Sequence, residues 1–343
     1  MQIFLMIVYA LLVLTGLIVV HEYGHYRVAK KNGIKVDEFA IGFGPKLIKW
    51  HRGETEFSLR PFLIGGFCRF ADDVDEEDRP PKPGDFRTAP IGARVKTVVA
   101  GPLMNALLAV VLAFIMLLVA PEAQGVQIRE VAPGSPAEAA GLQEGDVIRR
   151  MNGIDMDFYI SGISAYQQSA KGDTMEVLVE RDGEPVDALI TFPEGDGEKT
   201  MGIVMESHPY NVFEAFALSF KWLWQQTVEI FSALGNLFFR GQGVENMTGI
   251  VGLTVVVGSV VQAGALGMIL MIVAMISINL AIVNLLPIPA LDGGKLVLYA
   301  VEGARKKPVS INVEGVMNLI GMVAFMGFAV FLVFQDIGRF MGA

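Results

Sequence analysis

The chain opens Met1-Gln2-Ile3-Phe4-Leu5-Met6-Ile7-Val8-Tyr9-Ala10-Leu11-Leu12-Val13-Leu14-Thr15-Gly16-Leu17-Ile18-Val19-Val20-His21-Glu22-Tyr23-Gly24-His25, an uncharged run followed by H-E-x-x-H. A helix needs roughly 20 apolar residues to cross a bilayer, so Met1 to Val20 predicts a membrane span. It lacks the basic leader and small-residue cleavage site of a signal peptide, and Arg27, Lys30 and Lys31 follow it, the pattern of an uncleaved anchor. If the helix continues through the motif, His21 and His25 lie one turn apart on one face. They can then grip one zinc ion, with Glu22 beside the metal.

Composition agrees with the bilayer. The 343 residues are 52% hydrophobic and 18% charged, and the apolar excess sits in long uncharged runs rather than being spread evenly. Three further spans are expected, at about 98–120, about 266–286 within the uncharged stretch 246–291, and about 315–335. The Gly-rich part before residue 266 is read as a shorter re-entrant piece. The single cysteine, Cys68, excludes an intrachain disulfide framework or a four-cysteine metal cluster. A net charge of −9 with no basic stripe excludes nucleic acid as a default partner.

Regional charge gives an orientation. Residues 26–52 carry seven Lys or Arg, while residues 121–140 carry only Arg129. Positive charge near span ends marks the cytoplasmic side. The expected topology has both termini outside, loops 31–94 and 295–313 in the cytoplasm, and 121–245 outside. Between 121 and 210 there are 17 acids against six bases, so most of the net charge belongs to this outer region.

A catalytic zinc site wants a third protein ligand and an open position. Asp292 is the only acid between Asn246 and Val301, and the first and third spans descend to the same side, so it finishes at the depth of His21 and His25. It stands in Asn284-Leu285-Leu286-Pro287-Ile288-Pro289-Ala290-Leu291-Asp292-Gly293-Gly294, where two prolines would break the helix and free backbone groups. Such a site hydrolyses a peptide without a covalent intermediate, Glu22 taking the proton of an activated water.

At these residues the sequence resembles the site-2 protease family of intramembrane zinc metalloproteases, specifically the bacterial type that regulates the sigma-E stress response. The likeness covers nearly the whole chain. It implies Zn2+ held by His21, His25 and Asp292, Glu22 as general base, and Asn284 contacting substrate backbone. The family pattern N-x-x-P-x-P-x-L-D-G also draws in Pro287 and Pro289 as substrate-binding. Its G-P-x-x-N motif is matched by Gly101, Pro102 and Asn105, with Asn105 counted with the substrate site.

The first cytoplasmic loop contains two short strand patterns, 46–50 and 56–60, around a turn at 51–55. In the similar proteases this loop is a membrane-associated β-hairpin beside the active site, whose edge can hold an unwound substrate as an added strand. The acid-rich stretch 72–78 reads as a solvated turn without catalytic role. Residues 121–207 resemble a bacterial PDZ domain, carried by Val131 to Leu142 and Gly145 to Gly153. Bottom-up, Ser135 is an N-cap, Gly141 ends a short helix, and 146–151 is a strand closing on an Asn-Gly turn. The domain binds an extended peptide or filters substrate ectodomains by size; the residues allow either. From 208 to 245, Phe213, Phe216, Phe220, Phe231 and Phe238 recur at helical spacing, which predicts an amphipathic interfacial helix.

The fold class expected is therefore an α-helical polytopic membrane protein with about four transmembrane helices, an inserted α/β PDZ domain and a cytoplasmic β-hairpin. Its segments are 1–30 (first span), 31–94 (loop), 95–120 (second span), 121–207 (PDZ), 208–245 (interfacial helix), 246–294 (re-entrant piece and third span), 295–313 (linker) and 314–343 (fourth span). The expected activity is zinc-dependent cleavage of single-pass membrane proteins, of anti-sigma-factor or signal-peptide type, in the bacterial plasma membrane. A zinc transporter would place polar sites on several spans, whereas ionisable groups here gather at one end of two. A PDZ scaffold with a degenerate metal site would not need an intact Glu22.

Overall fold

The computed structural model describes residues 2–72, 82–157, 174–193, 200–244 and 247–341. In chain order the elements are α1 (Gln2–Lys31), β1 (Val36–Phe43), β2 (Ile48–Arg52), β3 (Thr55–Leu59), β4 (Phe62–Phe70) and α2 (Ile91–Val119). Next come β5 (Gly125–Val131), α3 (Pro136–Ala139), β6 (Val147–Met151), β7 (Ile154–Asp155), β8 (Thr174–Arg181), β9 (Glu184–Thr191) and β10 (Ile203–His208). The chain ends with α4 (Val212–Arg240), α5 (Ile250–Ala263), α6 (Leu266–Leu285), α7 (Asp292–Arg305) and α8 (Ile311–Met341).

Four helical segments are long and apolar enough to cross a membrane: Phe4–Lys31, Ile91–Val119, Leu266–Leu285 and Ile311–Arg339. The third lies in the uncharged stretch read above as one piece and one span. It divides into α5, too short to cross, and α6, because Gly264 ends α5 in the left-handed region at φ +67°. The chain forms two compact units, Met1–Val110 with Leu223–Ala343, and Val111–Trp222.

In the first unit the expected hairpin is present but is part of something larger. β2 and β3 pair antiparallel across Gly53-Glu54, and the whole sheet runs β2-β3-β1-β4, with β1 parallel to β3 and antiparallel to β4. Neither β1 nor β4 announces itself by alternation. Glu38 occupies a fully buried position in β1, and Gly65-Gly66 interrupts β4. Glu38 is tolerated because Arg60 donates at 2.6 Å, Arg69 at 2.8 Å and Ser58 at 2.7 Å. Burial pulls its pKa upward, but the hydrogen bonds of Arg60 and Ser58, with the charges of Arg60 and Lys46, outweigh this and hold it below the usual carboxylate range.

β4 lies along α1: Thr15 donates its hydroxyl to the Leu63 carbonyl at 2.6 Å. The stretch 295–313, expected as a linker, is mostly α7. Its buried face carries Leu298, Tyr299 and Glu302, and Arg94 of α2 reaches Glu302 at 2.5 Å while lying 4.7 Å over the Tyr299 ring. Asp72 accepts hydrogen bonds from the Phe86 and Arg87 amides, both at 2.8 Å, so the start of the acid-rich stretch ties down its loop; residues 73–81 lie outside the described ones.

The second unit contains a sheet in the order β10-β5-β6-β8-β9 with β7 on β6. Its core is Val126, Ile128, Ala137, Ile148, Met151, Met175, Val177, Val179 and Ile190, the inward positions of alternating strands. The expected capping is present: the Ser135 hydroxyl accepts from the Glu138 amide and Pro136 is the first helical residue.

Candidate metal centre and its cleft

α1 runs unbroken through the H-E-x-x-H motif to Lys31, so His21 and His25 stack one turn apart and are 7% and 8% exposed. Their Nε2 atoms are 3.1 Å apart. Asp292, the first residue of α7, brings Oδ2 to 3.1 Å from His21 Nε2 and 3.3 Å from His25 Nε2. Two features of sequence permit this. Gly293 and Gly294 let α7 fold back on the loop before it, since a Cβ on Gly294 would stand 3.0 Å from the Ile288 carbonyl carbon and from Pro289 Cα. Gly101 on α2 leaves room for the histidines, since its Cβ would be 2.8 Å from His21 Nε2 and nearer still to His25.

The outer contacts of the rings define their protonation. His25 Nδ1 stands 2.8 Å from the Thr97 carbonyl, which can only accept, so Nδ1 carries the proton and Nε2 a lone pair. His21 Nδ1 faces the Asn105 amide at 3.4 Å, while Asn105 Oδ1 is buried without a partner. Because the two amide atoms are interchangeable by a half-turn, Oδ1 accepts from His21 Nδ1–H in the orientation that satisfies it, again leaving Nε2 unprotonated. Ser277 on α6 fixes the Asn105 backbone by donating to its carbonyl at 2.7 Å.

Three electron-rich atoms thus converge, and Asp292 Oδ2 is buried with no hydrogen-bond partner among the described residues. Such a cluster is repulsive unless a cation sits on it. Tetrahedral zinc, with bonds of about 2.0–2.2 Å, places ligand atoms about 3.3–3.5 Å apart, close to the 3.1–3.3 Å seen here. The donor set and its spacing fit Zn2+.

Glu22 brings a carboxylate oxygen within 4.8 Å of the ring nitrogens of His21 and His25, and the Cys68 backbone N–H on β4 donates to its Oε2 at 3.0 Å. A cleft of about 960 Å³ opens from these residues. One wall is β4, with Phe67, Cys68 and Phe70; another is α6, with Ile276, Asn279, Leu280, Val283 and Asn284. Met247, Thr248 and Leu253, with Phe325 and Leu332 of α8, close it further.

Of the residues read from sequence, His21, Glu22, His25, Asp292 and Asn284 line one cleft. Asn105 does not line it: it is fully buried beneath His21, its amide 3.4 Å from His21 Nδ1. Pro287 and Pro289 do not line it either. They shape the turn between α6 and α7, in which Ala290 is held at φ +73°. Sequence reasoning missed Thr97 and Cys68, which act through backbone atoms that leave no side-chain signal. It also missed Lys295, whose placement three residues after Asp292 was there to be read.

Comparison with known proteins adds the following. The profile of Peptidase family M50 matches residues 9–328. Metalloprotease MmpA of Caulobacter vibrioides is 30% identical over 98% of this chain and 96% of its own length. The membrane metalloprotease ARASP of Arabidopsis thaliana chloroplasts is 33% identical over 95% of this chain and 77% of its own. Zinc metalloprotease RasP of Shouchella clausii is 28% identical over 94% and 96%. Among solved structures, a PDZ domain from Listeria monocytogenes matches 24% of this chain and 87% of its own, at 23% identity and TM-score 0.21.

Proposed function

The chain belongs to peptidase family M50, the site-2 protease family of zinc metalloendopeptidases, and from that premise we propose that it cleaves single-pass membrane proteins inside the bilayer, near its cytoplasmic face. His21, His25 and Asp292 hold the zinc, Glu22 is the general base, and Asn284 contacts the substrate backbone. The observation that carries this reading is the meeting of three lone-pair-bearing ligand atoms, at 3.1–3.3 Å, at the end of a membrane-crossing helix.

Zinc, when bound, supplies a water acidified toward neutrality and a Lewis acid for the scissile carbonyl. Glu22, steadied by the Cys68 amide, takes a proton from the water and returns it to the departing nitrogen. Thr97 and Asn105 keep both imidazoles turned with Nε2 inward. A helical substrate cannot be cut while its carbonyls are bonded internally, and β4, an edge strand beside Glu22, offers backbone groups that hold the unwound segment as an added strand. The mostly apolar lining keeps bulk water from competing.

Loop charge supports a plasma-membrane topology with both termini and the PDZ domain outside and residues 31–94 in the cytoplasm. In that topology the PDZ domain meets the substrate's outer part, as a peptide-binding or a size-selecting module. Anti-sigma factors and leftover signal peptides are the substrate types that suit a single-pass cut. The deciding experiment uses purified protein and a membrane-embedded reporter: Glu22→Gln retains zinc and stops cleavage. If that variant still cuts, the assignment of Glu22 fails.

A further inference from the structure

One charged side chain in the cleft takes no part in the chemistry above. Lys295 is the only Lys or Arg lining the cleft among the described residues, and the acids lining it are Glu22 and Asp292. It lies three residues after Asp292 in the first turn of α7, so both side chains leave the helix on one face with Cβ atoms about 5–6 Å apart. This is an unfavourable place for a cation. The unpaired N–H groups of a helix's first turn repel positive charge, and Lys295 is a half-buried residue, which calls for an anionic partner. Lys295 makes no ion pair among the described residues. An anion brought by the reaction would complete it.

Peptide hydrolysis makes such an anion. Water oxygen bonds to the carbonyl carbon, the carbon–nitrogen bond breaks, one proton passes to the leaving nitrogen, and the new chain end releases its remaining proton to become a carboxylate. Negative charge grows on the carbonyl oxygen on the way and stays on the product, in a cleft whose other fixed side-chain charges, Glu22 and Asp292, are also negative.

We propose that Lys295 is a further catalytic residue: its ammonium donates to the scissile carbonyl oxygen as charge develops there, and then to the new C-terminal carboxylate. The proposal rests on the protease reading. It makes the cleft selective for a carboxylate-ended fragment over an otherwise identical neutral one.

The test uses zinc-loaded full-length protein in detergent micelles and two fluorescent ten-residue apolar peptides, one ending in a free carboxylate and one in a carboxamide. Lys295→Met is expected to lose about tenfold of its affinity for the carboxylate peptide, with carboxamide binding and zinc content unchanged. Lys295→Arg should restore most of the loss. Turnover of the membrane reporter by Lys295→Met should fall about 10²-fold with little change in KM. The proposal is overturned if Lys295→Met binds both peptides as wild type does, or loses both equally, which marks a structural role. Binding needs no turnover, so a wild-type protein that cuts no reporter but still shows the Lys295-dependent carboxylate preference would sink the protease reading alone.

Discussion

Asp146, just before β6 in the second unit, and Asp292 at the head of α7 are both acids taken largely out of water, and they are treated in opposite ways. Arg181 grips Asp146 with two hydrogen bonds of 2.7 Å, and the Gln143 amide adds one at 2.9 Å. Its lone pairs are used and its surroundings are complete. Asp292 offers Oδ2 to two imidazole nitrogens that carry no proton to give, so that oxygen has no hydrogen-bond partner. The satisfied carboxylate belongs to the architecture; the unsatisfied one is kept ready for a cation. The same contrast separates Glu38, ringed by Arg60, Arg69 and Ser58, from Glu22, which accepts from a backbone amide of the edge strand β4.

Variants at these positions sharpen the contrast. The largest effect is expected for Glu22→Gln, which should lower reporter cleavage by about 10²–10⁴-fold while zinc measured by elemental analysis stays at the wild-type level. Next comes Asp292→Asn, which removes a charged ligand. Zinc affinity, read by competition with a chelator, should fall beyond the roughly 10–100-fold typical of losing an outer partner. Asn105→Ala should cost that 10–100-fold, since it frees the His21 ring without touching the first ligands. If Asn105→Ala leaves zinc affinity unchanged and alters only KM, it acts on substrate after all.

Asp146→Asn breaks the satisfied pair instead. Removing one partner of a buried pair costs about 3–5 kcal/mol, and because Arg181 is 28% exposed a smaller loss of roughly 2–3 kcal/mol is expected. Hydrogen exchange of the β6 and β8 amides would report it, with zinc content unaltered. The smallest effect is a pH dependence of the same region. Burial raises the pKa of Asp146, but Arg181 and the Gln143 amide overcome this and hold it below the usual range. A depressed folded-state value gives stability that is complete above the unfolded value of about 3.9 and is lost as pH falls through the folded one. Exchange protection in β6 and β8 should therefore be flat from neutrality to about pH 5 and weaken below about pH 4; weakening already at pH 6 would point to another group.

How much of this was legible depends on where each signal resides. The spans were, because hydrocarbon accepts only long uncharged runs, and the ligand pair was, because helical periodicity puts His21 and His25 on one face. Asp292 followed from depth. The four-stranded sheet was only half visible. Its β2–β3 hairpin is local, whereas β1 and β4 are held by partners distant in sequence, and Glu38 occupies a buried place that alternation reserves for an apolar residue. Nor was the placement of Asn105 beneath His21 legible: a motif names a residue but not which way its amide faces.

The sequence by itself determined that this chain is a membrane protein, carries H-E-x-x-H at the end of its first apolar helix, and holds an acidic α/β insert. Those are properties of composition, period and spacing, which a linear chain displays in full. Only tertiary structure decided that His21, His25 and Asp292 meet with lone pairs facing, that backbone atoms of Thr97 and Cys68 orient a ligand and the base, and that Pro287 and Pro289 shape a turn outside the cleft. Those are matters of direction and contact between segments tens or hundreds of residues apart. They are fixed when helices pack closely enough that a single Cβ at Gly101 would collide with the histidines.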